Sequence, residues 1–86
     1  MVGLNILYVE DDARVAQDVQ DLLRGNGDTV TWEGTGAGGL LRAGRDRYDV
    51  IVLDRMLPDI DGMTILARLR DSGVGTPVLL LSAGQA

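Results

Sequence analysis

Three apolar runs in this chain are each followed at once by oxygen-bearing side chains. Glu10 and Asp11 follow Ile6-Leu7-Tyr8-Val9, Asp54 follows Val50-Ile51-Val52-Leu53, and Ser82 follows Val78-Leu79-Leu80-Leu81. In open parallel sheets, working polar groups gather at the carboxyl ends of strands, near the point where strand order reverses. If the first and third runs are neighbouring strands, Asp11 and Asp54 converge, with Glu10 close by. Carboxylates crowded in this way repel, and their pKa values rise unless a cation neutralises them. Mg²⁺ suits such a place, because it takes oxygen ligands through one or two carboxylates plus water and phosphate oxygens. With the cation bound, Asp54 remains a carboxylate nucleophile of the kind that forms aspartyl-phosphates. Ser82 could then hydrogen-bond the phosphoryl oxygens. Each residue alone has a plainer meaning. An acidic run after a strand is often only a helix start, a lone Asp is often a turn residue, and Ser82 by itself carries almost no signal. Together, at successive strand ends, they favour a site.

The elements that must position these groups alternate along the chain. Ile6–Val9 reads as a strand buried on both faces. Asp12 is placed to cap a helix over Ala13–Arg24, where Val15, Val19, Leu22 and Leu23 recur at helical spacing. Gly25-Asn26-Gly27 ends it. Thr29–Trp32 is a weakly alternating, β-branched run suited to an edge strand. A helix follows at Ala37–Arg45 with Leu40, Leu41 and Ala43 inward. Asp49–Leu53 is the clearest strand and runs into Asp54. Beyond Leu57-Pro58, a helix covers Gly62–Asp71 on Ile65, Leu66 and Leu69. Pro77 then opens the strand Val78–Leu81. This β-α-β-α-β-α-β order predicts a parallel sheet with right-handed crossovers and helices on both faces. The 86 residues form one domain, with no internal linker or repeat.

Composition narrows the function. A net charge of −5 gives this domain no general attraction for nucleic acid phosphates. The chain has neither Cys nor His, which removes disulfides, thiolate metal sites and imidazole chemistry. No stretch reaches the apolar length of a membrane span, so a cytoplasmic protein is expected. With no Phe and only 3% aromatic residues, the core has to be built from Val, Leu and Ile.

Two segments carry a resemblance. Ile6-Leu7-Tyr8-Val9-Glu10-Asp11-Asp12 and Val50-Ile51-Val52-Leu53-Asp54-Arg55-Met56-Leu57-Pro58-Asp59-Ile60-Asp61-Gly62 closely resemble the first and third strand regions of response-regulator receiver domains, of the type attached to winged-helix transcription factors. Pro77–Ala83 is similar to the family's fourth strand and its hydroxyl residue. The resemblance runs from Leu4 to Ala83. It implies a three-layer, doubly wound α/β receiver fold with strand order 2-1-3-4. It implies a phosphoacceptor role for Asp54 in a two-component relay, without catalytic turnover, and a sensor histidine kinase as partner. It implies Mg²⁺ held by Glu10, Asp11, Asp54 and the main-chain carbonyl of Met56, with Ser82 as switch hydroxyl. Pro58 and Gly62 would shape the loop after Asp54. The family pattern continues through a helix, a fifth strand bearing an aromatic switch residue, a lysine that pairs with the phosphoryl group, and a final helix. These 86 residues correspond to a receiver shortened at its C-terminal end, with no lysine placed to substitute. A fourth strand left as an apolar edge, beside a face covered by one helix, predicts a homodimer or higher oligomer.

Two other patterns compete. Gly34-Thr35-Gly36-Ala37-Gly38-Gly39 matches G-x-G-x-x-G between a strand and a helix, as in a dinucleotide-binding Rossmann unit using Gly34, Gly36 and Gly39. Against this, the preceding strand is weakly apolar, and another strand-helix unit comes first. Asp59-Ile60-Asp61-Gly62 is similar to Asp-x-Asp phosphatase and Ca²⁺ loops, but it follows Pro58, and the later Ca²⁺ ligands are not at their spacing. A third possibility is a self-associating α/β fragment without signalling activity.

Overall fold

The structure, a computed structural model, describes residues 3–81. Four parallel strands, β1 (Asn5–Val9), β2 (Thr29–Glu33), β3 (Val50–Asp54) and β4 (Val78–Leu81), form one sheet in the order β2-β1-β3-β4. Helices α1 (Ala13–Gly25), α2 (Gly36–Arg45) and α3 (Gly62–Asp71) supply the crossovers. The expected fold class and strand order are both found.

Each helix starts on a side-chain cap. The Asp12 carboxylate accepts from the amides of Arg14 and Val15, the Thr35 hydroxyl from Gly38, and Asp61 from Met63. These acceptors satisfy amides that have no partner inside the helix. At the end of α1, Gly27 takes a φ of 92° while its amide and that of Asp28 donate to the carbonyls of Arg24 and Leu23. This left-handed step turns the chain back into β2.

Pleating sorts the side chains into two cores. Leu7, Val9, Ile51 and Leu53 pack on one side with Ala43 of α2 and Ile65 and Leu69 of α3. Tyr8 packs on the other side with Val30 and with Ala16 of α1. Ile6, Leu7, Tyr8 and Val9 are all buried, as expected of a strand covered on both faces. Gly39 lets α2 lie on β1 at close range, since a Cβ there would stand 2.7 Å from Val9 Cγ2.

Three inward-facing expectations need correction. Val15 and Leu22 are exposed, and α1 instead buries Ala16 and Gln20, with Val19 and Leu23 partly covered. In α2, Leu40 packs on the core and Ala43 is buried, but Leu41 is 63% exposed. Periodicity marks an apolar stripe, but what is buried depends on what stands opposite. On the α1 side there is one helix among the described residues, so the flank carrying Val15 and Leu22 faces no neighbour. For the same reason Leu79, whose register partner Val52 packs on that side, is 55% exposed.

Candidate metal and phosphoacceptor site

The sheet order makes β1 and β3 neighbours, so their carboxyl ends lie side by side. Glu10, Asp11 and Asp54 each offer a carboxylate oxygen, and these oxygens lie within 4.8 Å of one another. The convergence expected from the sequence is therefore found. Asp54 Oδ1 accepts from the Met56 amide at 3.0 Å, which ties the carboxylate to the turn that follows it. The Met56 side chain is exposed. Ser82 lies outside the described residues. Its predecessor Leu81 pairs with Asp54 in the register and accepts from the Arg55 amide at 3.0 Å.

The three acids stand in unlike surroundings. Asp11 is exposed, Asp54 half-buried, and Glu10 only 8% exposed. Glu10 Oε2 accepts from the Asp12 amide at 3.1 Å, and Oε1 accepts from the Tyr8 hydroxyl across a long 3.4 Å. Burial pushes the Glu10 carboxyl above its ordinary range. The Asp12 amide opposes that rise, while Asp54 and Asp11 reinforce it. Tyr8 is pushed up to about 12, first by burial and then by the adjacent Glu10 charge. None of the three acids forms a salt bridge among the described residues. A partly desolvated cluster of hard oxygen donors with no such ion-pair partner fits a small divalent cation such as Mg²⁺.

The loop between β3 and α3 is held from two directions. The Gly62 amide donates to the Arg55 carbonyl at 3.0 Å, and Gly62 sits so close that a Cβ would meet Arg55 Cα at 2.8 Å. Asp59 reaches across to α2, accepting from the amides of Gly36 at 2.9 Å and Ala37 at 3.0 Å. Those two bonds hold the Asp59 carboxyl below the usual carboxylate range. The glycine run thereby has another use. The amides a dinucleotide pyrophosphate would need already bind an anion from this chain, and Gly36 is required by the nearby Ile65, Asp59 and Ile60. The run also follows an edge strand rather than the central first one. The dinucleotide reading is not retained.

Sequence reasoning missed Tyr8 and Asp59. A buried tyrosine needs a partner for its hydroxyl, which was a usable signal in Tyr8-Val9-Glu10. Nothing local indicated that Asp59 would cap a helix that begins 23 residues earlier.

The model of the response regulator receiver domain family matches residues 6–86, and the chain belongs to that family. The chain is 42% identical over 83 residues to the probable transcriptional regulatory protein TcrX of Mycobacterium tuberculosis, covering 96% of this chain and 36% of that protein. It thus spans about a third of the length of that curated relative. The receiver domain of Francisella response regulator 1452 superimposes with a TM-score of 0.91 at 34% identity, over 98% of this chain and 69% of that one. The receiver domain of the Pseudomonas aeruginosa sensor histidine kinase PA1611 does so with a TM-score of 0.89 at 33% identity, over 96% of this chain and 70% of that one. That structure has a magnesium ion coordinated in its active site cleft.

Proposed function

We propose that this chain is the phosphoacceptor part of a two-component response regulator, in which Asp54 takes a phosphoryl group from a sensor histidine kinase with Mg²⁺ bound beside it. The observation that carries this reading is the meeting of Glu10, Asp11 and Asp54 at one sheet end. Glu10, Asp11, Asp54 and the Met56 carbonyl are the proposed ligands, and Ser82 is the proposed switch hydroxyl. Bound Mg²⁺ would supply positive charge to the carboxylates and to phosphoryl oxygens. Asp54 contributes the nucleophile. Its oxygen forms the new P–O bond as the P–N bond to the kinase imidazole breaks, and the leaving nitrogen keeps the electron pair. The Met56 amide, on Asp54 Oδ1, orients the carboxylate for that attack. The reaction is a single transfer onto the protein, so the domain acts as a signalling acceptor rather than a turnover enzyme. It works in the cytoplasm, and any DNA binding belongs to another domain.

Treatment with a small phosphodonor and Mg²⁺ tests the assignment by intact mass. The parent chain is expected to gain one phosphoryl group and Asp54→Asn none. Equal labelling of the two, or none of the parent with either phosphodonor or beryllofluoride, would defeat it.

Self-association is part of the same proposal. β4 is an edge strand among the described residues, and Leu79 projects on the thinly covered α1 side. An apolar edge and face of this kind pair readily with a second copy. Sedimentation equilibrium of the 86-residue chain at micromolar concentration is expected to show a dimer that Leu79→Glu converts to monomer. A folded parent monomer would overturn the pairing.

A further inference from the structure

Trp32 is the chain's single tryptophan, and no motif or family role described above uses it. It stands on β2 opposite Tyr8 in the register, so both side chains leave the same face of the sheet. Its indole nitrogen donates to the main-chain carbonyl of Glu10 at 2.8 Å. The last β1–β2 register pair is Val9 with Glu33, so Glu10 lies just past the end of the ladder. There its amide still donates to the Glu33 carbonyl at 3.0 Å. The Glu10 main chain is therefore held at both its N–H and its C=O by β2. Its carboxylate is held separately, by the Asp12 amide and the Tyr8 hydroxyl.

We infer that Trp32 is a positioning residue for the cation site: its indole N–H locks the Glu10–Asp11 peptide so that both carboxylates face Asp54. The inference rests on the cation-site reading above and extends it to a residue that touches no cation. The physical need is plain. Before a cation binds, the three acids repel, and the exposed Asp11 is free to swing outward by rotation of the peptide that precedes it. A hydrogen bond to the carbonyl of that peptide opposes the rotation. Outer contacts of this type set how well the ligands are organised beforehand, and losing one typically weakens metal binding by roughly 10–100-fold.

Trp32→Phe keeps an aromatic ring at the β2 edge and removes the indole donor. Mg²⁺ titration by calorimetry is expected to give a Kd raised roughly tenfold over the parent, while the metal-free melting temperature changes little. An unchanged Kd in a folded Trp32→Phe variant would overturn the role of Trp32 while leaving the site intact. A parent chain that binds no Mg²⁺ would instead remove the cation-site reading itself, and this proposal with it. The parent's own fluorescence gives a second test that needs no Trp32 variant. Mg²⁺ is expected to shift the Trp32 emission with the calorimetric Kd, and Glu10→Gln is expected to abolish the shift. Emission that ignores Mg²⁺ while calorimetry shows binding would also overturn the inference.

Discussion

Glu10→Gln is expected to melt above the parent chain at neutral pH without divalent cations, and to lose most of the stabilisation that Mg²⁺ confers. Glu10 is nearly buried beside two other carboxylates, and its pKa is raised, first by burial. A group whose pKa is higher in the folded state favours the fold fully at pH values below its unfolded pKa. That advantage disappears as the pH rises through the folded value. The ionised form of Glu10 is thus a liability to the fold. Glutamine removes the charge and keeps the local bonds, since its carbonyl can accept from the Asp12 amide while its NH₂ donates to the Tyr8 oxygen. Each kcal/mol recovered is worth about 4–8 °C of melting temperature in a chain this size.

The pH dependence separates this account from a general packing effect. The gap between variant and parent is expected to close as the pH falls through the raised Glu10 pKa, because the parent then becomes neutral at this position as well. Saturating Mg²⁺ is expected to reverse the order, because a ligand stabilises the fold in proportion to RT ln(1 + [L]/Kd), and the variant lacks one ligand oxygen charge. Thermal melts across pH, with and without Mg²⁺, read all three effects. A variant less stable than the parent without metal at pH 7, or a gap that does not move with pH, would contradict the charge-crowding account.

Gly62→Ala is expected to cost about 1–3 kcal/mol, the usual range for an overpacked site, and to weaken Mg²⁺ binding as well. The added carbon would meet Arg55 Cα at 2.8 Å, Asp54 O at 3.2 Å and Arg55 O at 3.3 Å. All three are main-chain atoms, so no rotamer change relieves the contact. Either α3 moves outward or the Asp54–Arg55 backbone shifts, and the second outcome carries Asp54 away from Glu10 and Asp11. Gly44→Ala is the matched control. It lies in α2 with nothing within 4 Å of the added carbon. There alanine is expected to stabilise by about 0.5–1 kcal/mol, through the smaller backbone entropy it loses on folding. Urea unfolding of both variants checks the pair, and a stable Gly62→Ala chain with parental Mg²⁺ affinity would refute the close-approach argument.

The asymmetry between these two glycines is invisible in the chain's letters. Both fall in helices, and neither has a positive φ. What distinguishes them is the backbone of another element lying against one and open space beside the other. The same holds for the glycine run at residues 34–39. Its letters fit a phosphate-binding turn, but its Gly36 and Ala37 amides bind Asp59, brought there by the packing of α3 beside α2.

Sequence alone determined the order of elements, their bounds to within about a residue, and the three acids that would meet if β1 and β3 were neighbours. These features are local. Apolar runs, capping side chains and glycine stops act on a few adjacent residues, and alternation of strands with helices leaves few ways to build a sheet. Tertiary structure decided which apolar side chains are covered, leaving Val15, Leu22, Leu41 and Leu79 in the open. It also decided which distant groups hold the site in place: Trp32 on the Glu10 carbonyl and Asp59 on the start of α2. Burial and long-range hydrogen bonds depend on what stands opposite a residue in space, and no window along the chain contains that partner.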